Sequence, residues 1–138
     1  MPILAEIVLP AKLEHLPVFL KTLIQCARDQ GFSAKRINDI ELVVEEVLVN
    51  ISNYAYPGKD GEVKVVCRMD QPGCLIIEIL DSGFPFNPLD QEDPDVTADI
   101  GERKIGGLGV FLMKTLMDEV YYQRLEKKNI LTLVVHNK

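Results

Sequence analysis

Glu41-Leu-Val-Val-Glu-Glu-Val-Leu-Val-Asn50 lies inside one helical pattern that runs from about Ser33 to Ala55. Apolar residues recur at Ile37, Ile40, Val44, Val47 and Ile51, the spacing of a single buried helix face. Glu46 and Asn50 stand one turn apart and share a stripe beside that face. A carboxylate and a carboxamide at the border of a core are costly unless they are hydrogen-bonded or bind something. The stretch therefore marks a helix packed on a core, with a candidate site along its edge.

Working outward, Ser33 is a good N-cap for this helix, and Pro57 biases Tyr56 away from helical geometry at its end. Upstream, residues 3–9 read as a strand closed by Pro10. A helix is expected from about Leu13 to Gln30, with Leu16, Phe19, Leu20, Leu23, Ile24 and Ala27 on one face and Gly31 as its stop. Downstream, Glu62–Met69 and Leu75–Leu80 read as two strands around the turn Asp70-Gln-Pro-Gly73. Residues 84–105 carry three prolines, many acids and little to bury, the composition of a functional lid or a disordered loop. Gly106-Gly-Leu-Gly109 then opens an apolar helix pattern through Val110, Leu112, Met113, Leu116 and Met117. Glu119–Leu125 and Ile130–His136 form a closing hairpin turned at Glu126-Lys-Lys-Asn129. Sequential hairpins with helices gathered between them predict an α+β fold: a two-layer sandwich with helices on one face of a mixed, mostly antiparallel sheet.

At 138 residues this order fits one domain with a single core and no second boundary. Fifteen Lys plus Arg against 21 Asp plus Glu give net −6, with no basic stripe, so a nucleic-acid partner is not expected. No apolar run approaches the roughly 18–20 residues of a membrane span, and the N-terminal residues lack the pattern of a signal peptide. Cys26, Cys67 and Cys74 are odd in number and lack CxxC spacing, which suits a reducing cytoplasm. Cys67 and Cys74 flank a turn and are expected to face each other, reduced, across two strands.

Three motifs bear chemistry. Glycines before a helix let backbone approach an anion where free N–H groups favour negative charge. A hinge that merely starts a helix explains the same residues. There is no GxxxxGK[ST], and the GxG follows a lid rather than a strand, which excludes a Walker loop and counts against a dinucleotide fingerprint. Asp81-Ser-Gly83, at the end of an apolar strand, can accept a hydrogen bond from an exocyclic amine such as adenine's. Gly83 there lets backbone approach a flat ring, although Asp-Ser-Gly is also an ordinary turn. Asn50 offers an amide oxygen suited to Mg²⁺, and a carboxylate one turn earlier can orient or deprotonate a nucleophile. An exposed polar helix face fits Glu41 and Glu45 better than it fits Asn50.

Together and in this order the motifs resemble the GHKL ATPase superfamily with its Bergerat nucleotide-binding fold. They look most like its branch of bacterial anti-sigma-factor serine/threonine kinases. The matching pieces are Glu45-Glu-Val-Leu-Val-Asn50 with Asn53-Tyr-Ala-Tyr56, Asp81-Ser-Gly-Phe-Pro-Phe-Asn-Pro88, and Gly106-Gly-Leu-Gly-Val-Phe-Leu-Met-Lys-Thr-Leu-Met-Asp-Glu-Val120. The resemblance implies ATP and Mg²⁺ as ligands, with Asn50 on the metal and Glu46 as general base or hydroxyl-positioning residue. It implies Asp81 on the adenine amine with Gly83 beside the ring, and Gly107 and Gly109 at the phosphates. Lys104 would supplement them, and Thr132 falls where relatives place a small hydroxyl residue near the adenine. Many relatives carry a histidine where this chain has Tyr54. Glu45 beside Glu46 leaves two candidate carboxylates, of which helical spacing favours Glu46.

The implied function is ATP-dependent protein kinase activity in a partner-switching system. An anti-anti-sigma-type protein is then the substrate, a sigma factor a further partner, and a homodimer the assembly. A non-catalytic ATP-binding module that presents a protein-binding surface is the rival. A sensor histidine kinase domain is disfavoured, because the chain lacks a dimerising phosphoacceptor helix pair.

Overall fold

The computed structural model describes residues 2–90 and 107–137 of the chain. β1 (Ile3–Pro10) leads through a 3-10 turn at Leu13–His15 into α1 (Leu16–Asp29). The expected helix from Leu13 is thus split, with Pro17 inside the first turn of α1, where its missing N–H costs nothing. Phe19, Leu23 and Ala27 form the buried stripe of α1. Gly31, at φ +79°, stops it. The Gly31 N–H donates to the Arg28 carbonyl (3.0 Å) and the Phe32 N–H to the Ala27 carbonyl (3.0 Å), the double bond of a Schellman cap.

α2 (Ala34–Asn50) begins where Ser33 Oγ accepts from the Arg36 N–H at 3.2 Å, as its sequence predicts. Ile40, Val44 and Val47 are buried and Ile37 and Ile51 partly so, which gives the helix face read from their spacing. The helix does not continue regularly to Ala55. Residues Ile51–Ala55 widen into a π-helical turn directly after Asn50. Such turns are frequent at functional sites because they re-aim side chains.

β2 (Glu62–Gln71), β3 (Cys74–Asp81), β4 (Glu119–Leu125) and β5 (Lys128–His136) complete a five-stranded sheet of order β1-β2-β3-β5-β4. All four pairings are antiparallel, so the parallel component of the expected sheet is not found among the described residues. α3 (Gly107–Leu116) precedes β4. Alternate residues of the central strands (Val65 and Cys67, Ile77 and Ile79, Leu131 and Leu133) meet α1, α2 and α3 in one core. This is the two-layer arrangement that the element order predicts.

Two local expectations change. The last hairpin turns on Glu126 and Lys127 alone, at φ 52° and 64°, and β5 starts at Lys128 rather than Ile130. Cys67 pairs with Ile77 while Cys74 pairs with Gln71 and His136, so the two thiols do not face each other. Cys67 instead sits in the core beside Cys26 of α1, and burial, with Cys26 adjacent, pushes its thiol up to about 12.

Candidate functional site

Between α2, its π-turn, α3 and the ends of β3 and β5 lies a cavity of ≈ 200 Å³. Its floor is apolar, from Ile79, Met113 and Leu131, and Phe84 and Phe86 form an aromatic wall with ring centroids 6.3 Å apart. Glu46, Asn50, Tyr54, Asp81, Tyr122 and Asn129 supply its polar groups. An apolar pocket with a few convergent polar groups is the usual form of a small-molecule site, and this volume suits a purine base better than a whole nucleotide.

Asp81 ends β3 on the core side of the sheet and is only 8% exposed. Its Oδ1 accepts from the Gly83 N–H (2.9 Å) and from Asn129 Nδ2 (3.0 Å). Its Oδ2 accepts nothing from the described residues, leaving a buried acceptor for a ligand's N–H. Gly83 packs on the π-turn: a Cβ there would lie 2.3 Å from the Ala55 carbonyl oxygen. The Phe84 N–H donates to that oxygen (3.3 Å), and Arg124 Nη1 donates to the Gly83 carbonyl (2.8 Å). Tyr56 closes the loop from below, its hydroxyl donating to the Glu62 carbonyl (2.6 Å) and accepting from the Ser82 N–H (2.7 Å). Burial raises the Tyr56 hydroxyl above its ordinary range, with Asp81 and Glu62 adding to the effect.

At the other end Glu46 and Asn50 line the cavity from α2. Glu46 stands against the start of α3: a Cβ on Gly109 would approach Glu46 Cγ to 2.6 Å, so only glycine leaves that carboxylate its place. Glu45 is exposed and borders a groove between α1 and α2, away from the cavity. Neither Glu46 nor Asn50 has a side-chain partner among the described residues, which leaves both free to take a ligand. The described lining contains two carboxylates and no lysine or arginine. A polyanion would need a divalent cation and the N–H groups of the α3 start to be held there.

The structure brings Glu46, Asn50, Asp81 and Gly109 around one cavity, with Gly83 behind its wall and Gly107 opening α3. Thr132 is not among them. It pairs with Glu78 and Tyr121 on the sheet face opposite the helices, because Leu131 and Leu133 on either side point into the core. Lys104 lies outside the described residues, as does most of the expected lid. Tyr54 lines the cavity and is exposed. Asn129, only 7% exposed beside Asp81, is the polar residue that the sequence expectation missed, having been read as part of a turn.

Fold and site define an ATPase domain of the histidine-kinase-like class. The family model described as "Histidine kinase-like ATPase domain" matches residues 9–135. The chain is 37% identical over 129 residues to the serine-protein kinase RsbW of Bacillus pumilus (strain SAFR-032), covering 87% of this chain and 78% of that protein. It is 35% identical over 121 residues to the RsbW of Listeria monocytogenes (strain ATCC BAA-679 / EGD-e), covering 83% of this chain and 76% of that one. Among solved structures, that of the RsbU and RsbW domains of Rv1364c from Mycobacterium tuberculosis superposes with a TM-score of 0.67 at 17% identity. The match covers 99% of this chain and 32% of that one, and supports the fold. The chain belongs to the histidine-kinase-like ATPase family and, within it, to the group of the RsbW serine-protein kinases.

Proposed function

We propose that the chain is an ATP-dependent serine/threonine protein kinase acting as an anti-sigma regulatory factor, which phosphorylates an antagonist protein of the anti-anti-sigma type. A sigma factor is its other partner, and the cytoplasm is its place of action. The observation that carries this reading is the cavity with a buried, open acceptor at Asp81 and a Glu46–Asn50 pair without side-chain partners among the described residues, beside the glycine start of α3. The serine-protein kinase names of the relatives support it. Among the described residues no helix is long and apolar enough to cross a membrane.

In this reading Asp81 Oδ2 takes the adenine amine, the Phe84–Phe86 wall covers the ring, and Gly83 keeps the wall close. Gly107 and Gly109 let the α3 backbone approach the phosphates, with Lys104 as a supplement. Asn50 would hold Mg²⁺ through its amide oxygen, and the ion would supply charge neutralisation for phosphoryl transfer. Glu46 orients the acceptor's hydroxyl and takes its proton. Phosphoryl transfer asks mostly for positioning and charge, so a protein with no nucleophile of its own suffices.

The test incubates the chain with γ-labelled ATP and an anti-anti-sigma-type acceptor. Label on an acceptor serine is expected. Glu46→Gln is expected to lower transfer by about 10²-fold or more while ATP still binds. Undiminished transfer in that variant removes Glu46 from the chemistry. ATP binding without any transfer by the unaltered chain favours the non-catalytic regulatory module instead.

A further inference from the structure

Asn129 makes every hydrogen bond a carboxamide can make, and all four are inside the protein. Oδ1 accepts from the Tyr122 hydroxyl (2.5 Å) and the Phe86 N–H (3.3 Å). Nδ2 donates to Asp81 Oδ1 (3.0 Å) and to the Phe84 carbonyl (2.9 Å). The backbone partners settle which way the amide points: an N–H can only donate and a carbonyl only accept. Nδ2 must therefore face Asp81. With the Gly83 N–H on the same oxygen, Asp81 is held by Oδ1, and Oδ2 of this cavity-lining side chain has no partner among the described residues. An ionised carboxylate only accepts, so the cavity is built to receive a donor at that point and to repel an acceptor.

We propose that Asn129, backed by Tyr122, is the positioning residue that makes the site select 6-amino over 6-oxo purines. The inference rests on the reading that Asp81 faces the base. It adds that the selectivity comes from the orientation Asn129 imposes on Asp81 rather than from Asp81 alone. The same carboxamide bonds Phe84 and Phe86, so the aromatic wall and the polar end of the pocket share one anchor on β5. Without the Nδ2 donor, Asp81 turns about its side-chain torsion and takes up water. The amine then gains less and the 6-oxo group is rejected less.

The experiment compares dissociation constants for ATP and inosine triphosphate, whose base carries a 6-oxygen in place of the amine and a hydrogen on N1 in place of an acceptor. Asn129→Leu keeps the approximate volume and removes both donors, with the acceptor for Phe86 and Tyr122, without setting a second carboxylate against Asp81. Tyr122→Phe removes the one hydroxyl bonded to Asn129 Oδ1, and probes the same hydrogen-bond chain if Asn129→Leu does not fold. The unaltered chain is expected to prefer ATP by about tenfold or more. Asn129→Leu is expected to cut that ratio by about tenfold and Tyr122→Phe by a few-fold, through weaker ATP binding and tighter inosine triphosphate binding. Failure of the unaltered chain to bind either nucleotide overturns the proposed function, and equal binding of both overturns the role of Asp81. An intact ratio in the folded variants, with the unaltered chain selective, overturns the role of Asn129 alone.

Discussion

Gly83 has the least room in the site. A methyl group there would sit 2.3 Å from the Ala55 carbonyl oxygen, which is backbone and cannot swing aside. Gly83→Ala is expected to destabilise the chain by about 1–3 kcal/mol and to weaken ATP binding, because the π-turn and the Asp81 loop must part. Thermal unfolding and ATP titration read the two effects, and an unchanged melting temperature would show that the loop relaxes freely. Residues of this kind were partly legible. Glu46 was separable from Glu45 by helical spacing, and the structure puts only Glu46 at the cavity. Thr132 and Asn129 were not sorted correctly, because a strand changes face at every residue and the choice depends on which neighbours are buried. Leu131 and Leu133 both point into the core, which sends Thr132 outward and Asn129 inward. Asn129 looks like an ordinary turn residue until β5 is placed against β3, opposite Asp81.

The hairpin β4–β5 shows what could be read of an element and what could not. β5 was visible as an apolar run and β4 by its Val120-Tyr-Tyr122 segment, but Glu126-Lys-Lys-Asn129 looked like a four-residue polar turn. Two residues suffice, because a two-residue turn with both φ positive matches the twist of paired strands. Glu126 and Lys127 adopt that left-handed geometry at a steric cost that glycine and asparagine largely avoid. Replacing them together, Glu126→Asn with Lys127→Gly, is expected to stabilise the protein by about 1 kcal/mol. A urea midpoint that rises at constant slope is the expected readout, and no rise would mean the turn carries little strain. The π-turn after Asn50 had no such signature, since Ile51-Ser-Asn-Tyr-Ala55 reads as a plain helical continuation. What widens it is tertiary: the Ala55 carbonyl is needed by Phe84, and Tyr56 is held between Glu62 and Ser82.

Across the whole molecule, Arg36 ties elements that are far apart in the chain. At 3% exposure it pairs with Asp39 (2.9 Å) and Asp118 (2.8 Å) and donates to the Leu116 and His136 carbonyls (2.9 Å each). One guanidinium thus fastens the start of α2 to the end of α3 and to β5. Its five rigid donors suit such a junction in a way lysine does not. Arg36→Met is expected to cost about 3–5 kcal/mol, because the buried guanidinium's charge-assisted hydrogen bonds to Asp39 and Asp118 are lost. Equilibrium denaturation measures this, and a loss under 1 kcal/mol would show the two acids well solvated without it. The fold class was legible because strand and helix periods are local. The Arg36 junction was not, since its partners lie 82 and 100 residues along the chain. The strand order also has a consequence in time. β5 follows the other four strands in the chain yet lies between β3 and β4. While such a chain is being made, β3 waits with one open edge and Asp81 without Asn129. The cavity therefore lacks its Asn129 wall until β5 emerges and slots into the sheet beside β3.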